Sequence, residues 1–208
     1  MSAPLAQRTR PAAGNPEGAL VLLHGRGADE HDLFGLLDLL DPQRRLLGVT
    51  VGGPLALPPG GKHWYVVPRV GFPDPDTFAG SFAQLSAFLD GLGIAPERTV
   101  LGGFSQGSVM SWALALGPGR PAPAGVIGLS GFIPTVPGWE FPGRPLRAAI
   151  GHGTMDPVIG VDFGRAARDR LQQAGADVTY HESAIGHQID PRFLATLPAW
   201  LEETLPSS

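Results

Sequence analysis

The chain has no cysteine, a single lysine (Lys62), two tyrosines and three methionines among its 208 residues. Without cysteine there is no disulfide, no thiolate-held metal and no thiol nucleophile, so any nucleophile is oxygen or nitrogen. Charge is also sparse: 16% of residues are charged, and 15 basic against 19 acidic side chains leave a formal net charge of −4. No basic field exists to hold a polyphosphate, and no nucleic-acid partner is expected. No run approaches the roughly 18 apolar residues of a bilayer span, and residues 1–18 lack the apolar stretch of a secretory leader, so a cytoplasmic protein without stable membrane insertion is expected. Glycine and proline, in contrast, are abundant at 30 and 22 residues. They are spread as punctuation between apolar runs, which reads as many loops on an ordered scaffold. With 43% hydrophobic residues, a chain of this length can bury one sizeable core.

Short apolar, often β-branched runs at 19–24, 46–52, 99–104, 125–130, 147–151 and 177–181 alternate with helical spacing at 32–40, 77–92, 106–116, 159–174 and 191–205. This is the βαβ pattern of a mostly parallel sheet covered by helices on both faces, an α/β fold. In the last helical stretch Phe193, Leu194, Leu197, Trp200, Leu201 and Leu205 step by three and four, one face for burial. Segments 52–75, 117–123 and 133–145 are too rich in glycine and proline for regular elements, and they lie between strands that need one another as neighbours. The expected organisation is an N-terminal extension over 1–18, partly ordered, and a single domain over 19–208.

One motif carries chemistry. The apolar strand 99–104 runs into Gly103-Phe104-Ser105-Gln106-Gly107 and then into a helix, the strand-turn-helix context in which Gly-x-Ser-x-Gly presents a nucleophilic serine. The turn demands glycine on either side because a side chain there collides with neighbouring backbone. It also leaves the Gln106 N–H free at a helix N-terminus, aimed where an oxyanion would form. A second donor is expected from the loop after the first strand, where His24-Gly25-Arg26-Gly27 offers the Arg26 N–H. The Arg26 guanidinium stands either at the cleft mouth, favouring acidic or polar substrates, or in solvent.

A serine hydroxyl needs a base, and in this chain order the acid and then the histidine follow the serine. His152, His181 and His187 lie beyond Ser105. His152 sits beside the best acid, Asp156, in the loop after strand 147–151, so the base should come later. His181 lies inside an alternating strand, whereas His187 follows Gly186 in the loop before the final helix, where a ring can swing toward the serine. His187 is preferred as base, with Asp156 orienting it; the alternative for Asp156 is a plain turn residue before Pro157. The apolar loop residues Trp64, Tyr65, Phe132, Ile133, Trp139, Phe141 and Val158 could wall an acyl pocket, and Phe132 is favoured for following a strand end beside the site.

Four blocks, 23–29, 103–107, 152–158 and Gly186-His187 before the last helix, resemble the phospholipase/carboxylesterase family of α/β-hydrolases, in that order and across most of the chain. The resemblance implies an α/β-hydrolase fold with a minimal lid, a Ser105, Asp156 and His187 triad, and Arg26 and Gln106 N–H groups as oxyanion hole. It implies no cofactor, and hydrolysis of carboxylic esters through an acyl-serine. It also suggests Trp64 as a substrate-cleft aromatic. Arg26 stands where the family often has an apolar residue, Ser108 where a further glycine is common, and the loops are short and proline-rich. A short- to medium-chain acyl or aryl ester, a small molecule, is therefore the expected substrate, with acyl-thioesterase or lysophospholipase activity on the same triad as alternative. A homodimer is possible.

Competing classes fare worse. A metal site from His152, Asp156, His181 and His187 would draw on residues scattered over separate loops, with no His-Glu-x-x-His helix. A phosphate-binding loop is absent, since Glu30 occupies the third glycine position after Gly25 and Gly27, and His63 follows Gly61-Lys62. A binding protein on a hydrolase scaffold would be expected to have lost part of its triad, and no part is missing here.

Overall fold

The computed structural model describes residues 4–206. Its elements in chain order are β1 (Gln7–Arg10), β2 (Ala19–Leu23), α1 (Leu36–Leu40), β3 (Leu47–Val51), β4 (Leu55–Ala56), β5 (Lys62–His63), α2 (Pro75–Asp90), β6 (Thr99–Phe104), α3 (Gln106–Leu116), β7 (Gly125–Leu129), β8 (Arg147–Gly153), α4 (Val161–Gln173), β9 (Asp177–Ser183), α5 (Pro191–Leu194) and α6 (Leu197–Thr204). Seven strands form one sheet in the order β1-β3-β2-β6-β7-β8-β9. Every pairing in it is parallel except that of β1 with β3.

Both faces of the sheet are dry. Along β2, Ala19, Val21 and Leu23 enter the core shared with α2, α3 and α4, while Leu20 and Leu22 enter the core shared with α1, α5 and α6. This period-two split is why the strands read as continuous apolar runs. Helix α3 is buried along its whole length, from Gln106 to Leu116, and so carries apolar residues on every side. The strand order reverses between β2 and β6, and the crevice beyond the carboxyl ends of two such strands is where open α/β sheets accommodate ligands. The Gly25–Arg26 loop and the Ser105 turn leave the sheet on either side of that point.

The structure differs from the sequence expectations at four places. First, the sheet begins before Ala19. Residues 7–10, Gln-Arg-Thr-Arg, have no apolar pattern yet form the antiparallel edge strand. They are held by Arg10, buried at 4% exposure, whose guanidinium donates to Leu37 O, Asp41 O, Leu46 O and the Asp41 carboxylate. Second, the stretch expected to be helical from 32 becomes α-helix only at Leu36; residues 29–37 instead make successive turns closed by bonds three residues apart, the tighter geometry common at helix starts. Third, the last helix is interrupted after Leu194. Pro198 has no N–H to give Leu194 O, and its ring would collide with that carbonyl in a continuous helix. Fourth, segment 52–75, read as irregular, contains the small β4–β5 hairpin. Among the described residues no helix is long and apolar enough to cross a membrane.

The turn before α5 is locked by Asp190. Its Oδ1 accepts the Arg192 N–H at 2.8 Å, and its Oδ2 accepts the Ser183 hydroxyl at the end of β9. These bonds, the Ser183 bond above all, hold its carboxyl well below the usual carboxylate range. A depressed folded pKa means that the stabilisation is complete above the unfolded value, near 4, and is lost as pH falls through that value toward the folded one. Asp190→Asn should therefore lower the urea midpoint at pH 7, and the gap to the parent protein should narrow steadily between about pH 4 and pH 2. A gap that stays constant over this range would show that the charge of Asp190 contributes nothing.

Candidate active site

Ser105 sits at the junction of β6 and α3 with φ 54° and ψ −119°, in the left-handed region that a residue with a side chain rarely adopts. The flanking glycines make this possible. A Cβ on Gly103 would meet Gly107 C and O and, at 2.7 Å, Ser108 N. A Cβ on Gly107 would run into Leu23 C and O and, at 2.6 Å, His24 O. The turn therefore packs backbone against backbone on both sides, which fixes where the serine oxygen points.

His187 and Asp156 come to the serine from loops beyond β9 and β8. The Ser105 hydroxyl lies 2.9 Å from His187 Nε2, and His187 Nδ1 lies 2.6 Å from Asp156 Oδ2. A carboxylate only accepts, so Nδ1 carries the proton and Nε2 presents its lone pair to the hydroxyl. Asp156 is buried, and its Oδ1 accepts the Val158 and Ile159 N–H groups at 2.8 Å each. His152, which the sequence set beside this acid, does not reach the serine. Its ring is buried behind Asp156, with Nε2–H donating to Ile159 O at 2.7 Å, so it clamps the loop that carries the carboxylate. The two loops are also tied to each other by Thr154 N–H to Ser183 O and Met155 N–H to Ile185 O. His181 stays on β9, its ring stacked on Phe193 at 5.2 Å, away from Ser105.

Neither the Gln106 nor the Arg26 N–H meets a main-chain acceptor among the described residues, as expected for Gln106 at the first position of a helix. The Arg26 loop is braced from below by His24, whose Nδ1–H donates to Gly25 O at 2.6 Å and whose Nε2 accepts Gly53 N–H at 2.9 Å. Burial pushes the pKa of His24 down, consistent with the neutral ring these two bonds require.

A cleft of about 370 Å³ opens over Ser105. Its walls include Val66, Val67, Val70, Phe132, Val158 and Ile159, with Arg26, His63, Tyr65 and Gln106 as the residues that bring polar groups. Phe132 and Val158 both line this cleft. Trp64 does not. It is fully buried behind the cleft, its indole N–H donating to His24 O at 2.8 Å and its ring 5.1 Å from that of His24. The next residue, Tyr65, lines the cleft instead, because the Gln106 amide grips this stretch from both sides: its Oε1 accepts Trp64 N–H and its Nε2 donates to Tyr65 O. His63, Val66, Val67, Val70 and Ile159 were not foreseen. The valines sit in a segment whose only local signal is glycine and proline, and nothing there tells which side chain faces the serine.

A hydroxyl facing the lone pair of an anchored neutral imidazole, beside two unpaired N–H groups and an apolar cleft, is an arrangement fit for acyl transfer. Residues 7–205 match the Phospholipase/Carboxylesterase family. Among curated relatives, acyl-protein thioesterase 1 of Candida albicans is 31% identical over 196 residues, covering 79% of this chain and 82% of that one. The protein of the same name from Debaryomyces hansenii is 26% identical over 96% and 97% of the two chains, whereas the match to the Emericella nidulans protein, 32% identical, spans only 51% of its length. Of solved structures, esterase PE8 superposes with a TM-score of 0.82 at 27% identity over 98% of this chain and 100% of that one. The Bacillus cereus carboxylesterase shares the fold, with a TM-score of 0.84 at 22% identity over 96% and 94%. This chain belongs to the phospholipase/carboxylesterase family of α/β-hydrolases and is a serine hydrolase of the carboxylesterase and acyl-protein thioesterase type.

Proposed function

We propose that Ser105, His187 and Asp156 form the catalytic triad of an enzyme that hydrolyses short- to medium-chain acyl or aryl esters. The observation that carries this reading is the unbroken line of hydrogen bonds from Ser105 Oγ through His187 to Asp156, at 2.9 and 2.6 Å, at the floor of an apolar cleft. His187 Nε2 takes the hydroxyl proton as Oγ adds to the ester carbonyl, and the carbonyl oxygen becomes an anion accepting hydrogen bonds from the Arg26 and Gln106 N–H groups. Asp156 holds the imidazole in the tautomer needed and stabilises its cationic form. The imidazolium then gives its proton to the departing alcohol as the carbonyl re-forms, leaving an acyl-serine. Water repeats the sequence: His187 takes its proton, hydroxide adds to the acyl carbon, and the proton returns to Oγ as the acid leaves.

Cleft shape supports the choice of substrate. The walls are valine, isoleucine and phenylalanine side chains, suited to a hydrocarbon acyl group, and the rim is open, with Val66 at 47% and Val158 at 52% exposure. Thioesters are the second reading, favoured by the relatives named acyl-protein thioesterase 1; a thiolate leaves from the same intermediate.

A fluorophosphonate probe tests the assignment. Attack by Oγ forms a serine–phosphorus bond and expels fluoride, so peptide mapping should find one adduct per chain, on Ser105. An adduct on Ser108 or Ser130 instead, or none, would overturn the reading.

A further inference from the structure

Fifteen side chains are lysine or arginine, and among the described residues all but one are engaged. Nine sit in ion pairs. Arg98, Arg144 and Arg170 donate to main-chain carbonyls, and Arg8 and Arg69 lie over the rings of Phe34 and Phe72. The exception is Arg26, which is exposed and lines the cleft together with Ser105. The acids of its own loop are spoken for. Asp29 accepts from His31, and Glu30 is paired with Lys62 at 2.6 Å. No carboxylate lines the cleft, and the other polar groups there do not offset a positive charge: Gln106 is neutral, His63 Nδ1 faces Tyr65 O at 3.2 Å, and burial pushes the Tyr65 phenol up, so it stays neutral. A protein with a net charge of −4 thus keeps, among the described residues, one cation with no carboxylate, carbonyl or ring partner, on the residue whose own N–H the proposed oxyanion hole uses.

We propose that Arg26 reads an anion on the substrate: the preferred esters carry a carboxylate about one arginine length from the scissile carbonyl. The inference rests on the triad reading above and adds a substrate class to it. A guanidinium matches a carboxylate with two parallel N–H donors. The carboxylate can belong to the acyl part, as in a hemiester of a dicarboxylic acid, or to the alcohol part.

Two pairs of substrates separate these sources. The first compares p-nitrophenyl hydrogen glutarate with its neutral methyl-capped diester, and the second compares 4-carboxyphenyl butyrate with its neutral carboxamide analogue. The readout is the ratio of kcat/KM for the anionic ester to that for its neutral partner. In at least one pair the parent ratio should exceed one and fall as sodium chloride is raised to 0.5 M, since screening weakens a charge pair and not an apolar contact. Arg26→Gln, which retains the main-chain N–H, should lower that ratio by roughly tenfold, and Arg26→Lys should restore part of it. Ratios within about twofold of the parent's in both pairs for Arg26→Gln would overturn the proposal. Failure of the underlying triad reading looks different: no ester of either kind is turned over and no probe adduct forms on Ser105, which removes both claims.

Discussion

Ser105→Ala should lower the turnover of a p-nitrophenyl acyl ester by about 10⁴-fold or more while leaving the fold intact. The size follows from what is removed. Without Oγ no acyl-serine forms, and water must attack with only the two N–H groups and the cleft to assist, a residue of catalysis worth roughly 10³–10⁴ over solution in comparable sites. The change is also a small one structurally, since the serine oxygen has His187 as its partner and alanine keeps the Cβ. In the proposed triad hydroxyl and imidazole act as one unit, so the Ser105→Ala, His187→Ala double variant should be within a few-fold of the slower single variant. The measurement is initial-rate kinetics on protein that has passed through an active-site titration to exclude parent enzyme. Ser105→Ala activity above about one per cent of the parent's would require a different nucleophile.

The second large effect is on stability. Gly107→Ala should destabilise the protein by about 3 kcal/mol or more, lowering the melting temperature by roughly 6–12 °C for a chain of this length. A new Cβ there falls against the Leu23 carbonyl at the end of β2, and a backbone group inside a sheet cannot rotate away as the end of a long side chain can. Gly160→Ala is the control. Gly160 has open space around it and a φ of −55°, available to any residue, so the melting temperature should stay within about 2 °C of the parent's. Equal shifts for the two variants would show that glycine at 107 serves backbone flexibility alone and not the close approach of β2 to α3. Because that approach also sets the Ser105 turn against the Arg26 loop, Gly107→Ala should lose activity at temperatures where it remains folded.

Much of the site is local in origin and so legible from the chain. The Ser105 turn needs glycines two before and two after within one strand-turn-helix unit, and α3 begins and ends where helical spacing places it. The five inner strands β2, β3, β6, β7 and β8 are similarly plain, because a sheet covered on both faces demands continuous apolar runs, whereas the edge strand β9 alternates. Chain order did the rest, putting an acid and then a histidine after the serine, each in a loop at a strand's carboxyl end. Strand β1 is polar and joins the sheet through the buried guanidinium of Arg10, whose acceptors come from residues 37–46. No periodicity within 7–10 encodes those partners.

The cleft is where distance along the chain defeats local reading. Trp64 and Tyr65 are both large, aromatic and buried, and remote groups, the Gln106 amide on their backbone and His24 O on the Trp64 indole, set which of them lines the cleft. His152, one residue type among six histidines, becomes a brace for the acid only once β8 and the following loop fold over it. The sequence by itself determined the scaffold and singled out Ser105, Asp156 and His187 as candidates, because strand period, helix period and a glycine-bound turn are constraints between near neighbours. Tertiary structure alone decided the distances among those groups, the side chains that line the cleft and the lack of an ion-pair partner for Arg26 among the described residues, because each depends on which remote segment arrives to fill or to neutralise the space.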